Sequence, residues 1–344
     1  MASRSLSDTI LSASSNFSAN KLHPVRGYLY IAAATFFWGL SATMGRAVFT
    51  GRITVANHFI GKIDPVMIAQ GRTTISLLIL TPILLLRNRA ALRIERKYLL
   101  QFFWLGVLGL AASNYFYYLA IERTSVATAI VLQYVAPVWV LLYMVARGLQ
   151  RATVQRVLGV VLAVTGCALA VGLLAWSPTF PWIGLSGARF NRVGVLAAEL
   201  AAISFAFYNV YAQRLLQTYS RWTVLVYALF WSAAFWIVAN PPGKIIAHHY
   251  TGPQWAFLLV FSLTSMLVPF SFYFSGLQHL DPTRAVVTSC LEPVFAIGLT
   301  AILLGEGVSP IQVVGMVIVL TATVLVQRPD RAHLEPTIAV EPIE

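Results

Sequence analysis

The sequence predicts an all-α integral membrane protein, with ten transmembrane helices arranged as two inverted five-helix repeats. Three observations lead there. Apolar residues make up 58% of the 344-residue chain and charged residues only 10%, with a mean hydropathy of +0.74. A water-soluble domain carries about 25% charged residues, so this chain lacks the polar surface it would need in water. The chain also restates itself: residues 116–169 align without a gap on 272–325, so that Phe116/Phe272, Ala129/Ala285, Pro137/Pro293 and Gly159/Gly315 coincide at an offset of 156. Finally, the basic residues are biased to one side. With ten spans and a cytoplasmic N-terminus, sixteen of the 24 Lys and Arg fall in cytoplasmic segments and six outside. Such a bias orients a membrane protein with its basic loops inward.

Apolar runs of roughly 17–25 residues define the elements in order. They lie near 27–49, 65–86, 98–120, 125–146 and 155–175, then 194–214, 221–239, 255–277, 284–304 and 309–327. The opening helices of the halves, 27–40 and 194–207, correspond at an offset of 167. The first half therefore carries about eleven extra residues, placed between Thr50 and Lys62. Five spans per half is an odd number, so the second repeat enters the membrane from the opposite face. The resulting organisation is a cytoplasmic tail over 1–26, a first repeat over 27–176, an extracytoplasmic linker over 177–193, a second repeat over 194–327 and a cytoplasmic tail over 328–344.

Several function classes recede on this reading. The net charge of +12 is scattered over loops rather than gathered in a patch, which argues against nucleic acid. There is no His-Glu-x-x-His pair and no Gly-rich Lys loop, so neither a zinc centre nor a nucleotide-driven motor is expected. His248-His249 lacks acidic or Cys company for a metal. Cys167 and Cys290 read as small apolar fillers within spans. No cofactor is expected. The expected partners are a small-molecule substrate and membrane lipid, with a homodimer left open.

The later spans read Leu291-Glu292-Pro293-Val294-Phe295-Ala296, then Leu303-Leu304-Gly305-Glu306, then Pro310 and Gly315. This closely resembles the second repeat of the EamA-type carriers of the drug/metabolite transporter superfamily. Trp38-Gly39, Arg72 and Ala136-Pro137-Val138 are similar to the same family's first repeat. The resemblance covers nearly the whole chain from Gly27 to Gln327. It implies a ten-helix inner-membrane carrier, often an exporter of metabolites, amino acids or drugs, and it says little about the substrate.

An ionisable group in the bilayer costs a few kcal/mol or more at a helix centre, so each needs a reason to be there. Glu292 sits about 12 Å into its span, directly before Pro293. Two roles stand open: binding a cationic group or a proton, or hydrogen-bonding a neighbouring helix to stabilise the kink. Glu199 lies about 8 Å inside the sixth span and is a second proton-coupling candidate if it faces the bundle. Arg46 reads as an interfacial snorkelling residue and Arg72, about 11 Å deep, as an anchor. A polar and aromatic layer is the expected cavity lining: Trp38, Ser41, Asn114, Tyr117, Gln133, Tyr134, Tyr208, Asn209 and Tyr273. The same side chains serve equally well as interhelical hydrogen-bonders. Pro137 and Pro293 are matched kinks, either gating hinges or static bends. The functional expectation is a secondary carrier for an amino acid-like or drug-like metabolite. The alternatives are a nucleotide-sugar or sugar-phosphate exchanger, short of deep cations beyond Arg72, and, from another class, an integral-membrane enzyme or non-transporting subunit.

Overall fold

The computed structural model describes residues 23–49, 54–55, 58–59, 63–124, 126–176, 183–185 and 191–327. Most of the expected tails, most of the Thr50–Lys62 connection and most of the 177–193 linker lie outside the described residues.

Ten membrane helices are present. The first repeat supplies α1 (Pro24–Phe49), α2 (Pro65–Arg87), α3 (Arg96–Arg123), α4 (Val126–Gln133 with Ala136–Ala146) and α5 (Val154–Ala170). The second supplies α6 (Arg192–Leu216), α7 (Arg221–Ala239), α8 (Gly252–Leu277), α9 (Pro282–Ser289 with Glu292–Leu304) and α10 (Pro310–Gln327). Eight of these are both long and apolar enough to cross a bilayer by themselves. The first helix has the length, at 26 residues, but Tyr, Trp, Gly, Ser and Thr dilute its hydropathy. The fifth is 17 residues, shorter than its expected range.

The fifth helix stops early for a local reason. Gly172 takes a left-handed φ of +78°, which an L side chain rarely adopts, and the chain then turns into a strand. That strand, β3 (Leu174–Trp176), pairs antiparallel with β4 (Ile183–Leu185), and an earlier two-residue ladder joins β1 (Thr54–Val55) to β2 (His58–Phe59). A further departure is the two-turn helix Pro242–Ala247 in the expected loop after α7. The first helix begins three residues before its expected start, with Pro24 at its head, where a missing N–H costs nothing.

The two repeats share their irregularities. The third helix of each half contains a π-type stretch, Leu105–Ala111 in α3 and Leu263–Leu267 in α8, overlapping at the repeat offset of 156. The fourth helix of each half breaks at equivalent residues, Tyr134–Val135 in α4 and Cys290–Leu291 in α9. In both cases a proline follows immediately inside the new segment. Pro137 and Pro293 cannot donate to the carbonyls of Gln133 and Ser289, so each break follows from the missing N–H.

Packing follows the same symmetry. Helix α1 lies against α8 and α9 of the other repeat, and α6 lies against α3 and α4. Glycines set these close approaches: a Cβ on Gly39 would fall 2.7 Å from the Ala296 nitrogen, and one on Gly194 2.4 Å from Thr124 Cγ2. The fifth and tenth helices pack on each other through Gly159, Gly166 and Gly315, with their outer faces (Val157, Val161, Val317, Val324) exposed. The main core lies among α1, α3, α6, α7 and α8, where Phe102, Leu225, Phe270 and Phe274 are buried.

Candidate functional site

The broken segments of α4 and α9 meet the middle of α2 and α3, and there the structure gathers a charged cluster. The Arg72 guanidinium donates from Nη2 to Asn114 Oδ1 and sits 5.9 Å from the centre of the Tyr118 ring. Its Nε is buried without a partner among the described residues. Glu292 heads the second segment of α9, with Tyr134 and Arg72 the groups close enough to act electrostatically on it. Tyr117 feels both Glu292 and Arg72. One acid and one base thus face a common region from α9 and α2, with three tyrosines around them. A charge inside the bundle is tolerated where hydrogen-bonding groups and opposite charge stand near it, as Asn114 does for Arg72.

A second, mainly aromatic cluster adjoins it across the α9 break. Trp38 packs 5.3 Å from both Phe270 and Tyr273, and its Nε1 donates to the Ser265 carbonyl at 3.2 Å. Tyr273 donates to Asn209 Oδ1 at 2.5 Å, and Asn209 Nδ2 donates to the Phe205 carbonyl at 2.7 Å. Tyr208 stacks on Phe205 and Phe274, with its hydroxyl unpartnered among the described residues. Ser289 and Cys290 lie at the α9 break: Ser289 Oγ donates to the Val286 carbonyl at 2.7 Å, and Cys290 Sγ lies 3.6 Å from the same carbonyl. The two cysteines meet here, Cys167 Sγ lying 3.7 Å from the Cys290 carbonyl.

Burial divides the expected lining residues. Ser41, Asn114, Tyr208, Asn209 and Tyr273 are buried. Ser41 donates to the Trp38 carbonyl of its own helix, and Asn114 bonds Leu110 as well as Arg72, so both are spent on structure. Trp38, Tyr117, Gln133, Tyr134 and Glu292 are only half-buried, although they sit mid-helix and face other helices. Gln133 reaches back to Ser113 at 3.5 Å. Arg72, expected as an anchor that pairs with a carbonyl or an acid in the bundle, bonds the side-chain carbonyl of Asn114 and gives this cluster its positive charge.

Two ionisable residues lie apart from these clusters. Glu199 accepts from Trp139 Nε1 at 3.2 Å, on a face where Trp139 is exposed, and is not among the groups acting on Glu292. Arg46 does lie at a helix end with its side chain largely exposed, but it is paired: Nη2 is 2.7 Å from Glu306 Oε2, and Nε donates to Oε1 at 2.9 Å. This fork ties α1 to the α9–α10 turn, where Gly305 holds a φ of +63°. Sequence reasoning had both residues but no means of pairing them across 260 positions. Among the described residues, no group of three or more His, Cys, Asp or Glu could hold a metal ion.

The fold has solved counterparts. A crystal structure of a protein superposes with a TM-score of 0.65 at 16% sequence identity, covering 86% of this chain and 96% of that one. Two curated relatives are similar in sequence. An uncharacterized transporter of Archaeoglobus fulgidus is 25% identical over 64% of this chain and 76% of its own length. The uncharacterized inner membrane transporter YicL of Salmonella typhimurium is 26% identical over 69% of this chain and 76% of its own. The EamA-like transporter family matches twice, over residues 25–172 and 192–328, once for each five-helix repeat. With both halves matched, this multi-pass membrane protein belongs to the EamA-like transporter family.

Proposed function

We propose that the chain is a secondary carrier that exports a small amino acid-like or drug-like metabolite across the inner membrane, both termini being cytoplasmic. The two repeats rock about the gap bordered by Trp38, Tyr117, Gln133, Tyr134 and Glu292, exposing it to either side in turn. The observation that carries this reading is the opposed pair of Glu292 and Arg72 inside a duplicated bundle, flanked by aromatic surface. An acid and a base a few side chains apart suit a small molecule that carries both charges or an amine with an apolar body. A single deep cation favours such a ligand over a sugar phosphate or nucleotide sugar, whose phosphates need several. No nucleotide-binding motif is present in the sequence, so the drive is the solute's own gradient or a coupled proton, with Glu292 the central candidate to carry it and Glu199 a peripheral one.

The test is flux in proteoliposomes, with substrates first chosen by a thermal-shift screen of purified protein across amino acids, polyamines, nucleosides and cationic drugs. Saturable counterflow of a ligand that also raises the melting temperature is expected. Liposomes that show no flux for any stabilising ligand, in either orientation and with or without a pH gradient, would overturn the carrier reading.

A further inference from the structure

Glu199 carries its carboxylate on the outside of the bundle. On α6, Leu196 lies three residues before it and Ile203 four after, on the same face of the helix, and they are 61% and 41% exposed. On α4, which packs against α6, Trp139, Leu142 and Tyr143 form a matching exposed face. The seam between the two faces therefore opens toward lipid, with Glu199 about 8 Å inside its span. Acids within membrane helices almost always turn toward the bundle interior or a water-filled cavity, so one on this face needs a partner.

The protein supplies only part of that partner. Trp139 Nε1 donates to Glu199 Oε2 at 3.2 Å. The other oxygen, Oε1, bonds nothing among the described residues and is not buried. No Lys, Arg or His pairs with this carboxylate among the described residues, whereas Glu292 has Arg72 close by. The Trp139 ring is 37% exposed and meets no other ring among the described residues, so aromatic surface is free beside the acid. An accessible carboxylate oxygen, an open indole and flanking aliphatic side chains match one chemistry, a cation carried on an apolar body. A neutral lipid tail would leave the charge unpaired, and an ammonium headgroup belongs at the bilayer surface rather than within the hydrocarbon.

We infer that the α4–α6 seam is a binding site for a lipophilic organic cation taken from the bilayer, its charge on Glu199 and its apolar body on Trp139, Leu196 and Ile203. The site is separate from the Glu292 cluster and stands whether or not the chain carries a solute. Two photoreactive probes of one shape test it: a benzophenone-bearing triphenylphosphonium, whose charge is permanent, and its uncharged triphenylmethyl counterpart. Each is photolysed with the full-length protein in phosphatidylcholine nanodiscs, and the adducts are mapped by peptide mass spectrometry. Saturable labelling of the segments 139–143 and 196–203 by the cation, in clear preference to the neutral probe, is expected. Glu199→Gln keeps an acceptor for the indole and removes the charge, so this labelling should fall about tenfold or more while the melting temperature stays in place. Comparing the two probes on the wild type needs no variant, which keeps the test decisive if the substitution disturbs folding. Absence of cation adducts from both segments, equal labelling by the two probes, or labelling undiminished in Glu199→Gln would each overturn the site. Loss of the adducts when half of the phosphatidylcholine is replaced by phosphatidylethanolamine would also overturn it, by making a lipid headgroup the occupant.

Discussion

A carboxylate in mid-membrane costs a few kcal/mol unless its surroundings compensate it, and Tyr134 and Arg72 are the groups nearest to hand to do so for Glu292. Glu292→Gln keeps the shape and a hydrogen-bonding amide while removing the charge. Loss of a charge-assisted contact to substrate or proton should lower flux about tenfold or more, with the melting temperature nearly unchanged. A variant that melts normally and transports at the full rate with the full pH dependence would reduce Glu292 to a kink-stabilising role. His279 supports a second prediction, outside the spans. Burial, His23 and Arg26 hold its imidazole below the ordinary value of 6.5, and its ring stacks on Tyr30 at 6.2 Å. Because the folded form disfavours the proton, the unfolded chain binds it more readily, and the contribution is present above the unfolded value and lost as pH falls through the folded one. Thermal melts from neutral pH down to about 5 should show a steeper loss of stability for the wild type than for His279→Asn. Parallel curves would show that the ring does not titrate in this range. Which residues would matter was partly legible in the sequence. Burial depth singled out Glu292 and Arg72, because charge inside an apolar run is conspicuous. That Arg72 would turn toward Asn114 and Glu292, and Glu199 toward Trp139, was not, because side-chain direction depends on helix rotation that an apolar run does not encode.

At the level of elements, the membrane made most of the fold readable. Spans must be apolar and of nearly fixed length, so their number and order show through, and the repeat offset fixes which element matches which. The matched helix breaks were legible through Pro137 and Pro293, since a missing N–H acts in any context. The π-type stretches of α3 and α8 were not, because an extra backbone residue per turn leaves no residue-type signature in LGVLGLA or LTSML. The early end of α5 was obscured for a related reason: Leu173–Trp176 is as apolar as a helix but runs on as a strand after Gly172. Packing of α5 on α10 makes a testable claim about the glycines. A Cβ on Gly315 would lie 2.4 Å from the Ala170 backbone nitrogen, and backbone yields less readily than a side-chain tip. Gly315→Leu should therefore cost about 1–3 kcal/mol and lower the melting temperature. Gly298→Leu, at a position in α9 where a Cβ meets nothing within 4 Å, should be nearly neutral. Equal effects from the two substitutions would show that the close approach does not limit stability.

Across the whole molecule, each repeat lends its first helix to the other, α1 lying along α8 and α9 and α6 along α3 and α4, while α5 packs on α10, so any movement between the halves has to work these surfaces against one another. The ties at the two ends of this exchange differ. Arg46 binds Glu306 by a charged fork at one end, whereas its repeat equivalent at the offset of 167, Gln213, donates to the Leu280 carbonyl at 3.0 Å. An exposed ion pair contributes little to stability, about 0–1 kcal/mol, yet it has to part whenever α1 swings away from the α9–α10 turn. Reversing one charge, Arg46→Glu, should thus change flux while leaving the melting temperature almost in place, and Arg46→Glu with Glu306→Arg should restore it. A double reversal no better than the single one would mean that the fork is not a tie between moving parts. The inverted arrangement carries one further demand. Ten crossings return the chain to the side on which it began, and on the proposed orientation, with sixteen basic residues on that side against six, it is the cytoplasmic one. Single cysteines introduced just before Gly27 and just after Gln327, in a background with Cys167 and Cys290 replaced by Ala, should both be shielded from an impermeant maleimide in intact cells and both react once the membrane is opened. Labelling of one terminus alone from outside would break the parity on which the inversion rests, and labelling of both from outside would reverse the export direction proposed for the carrier.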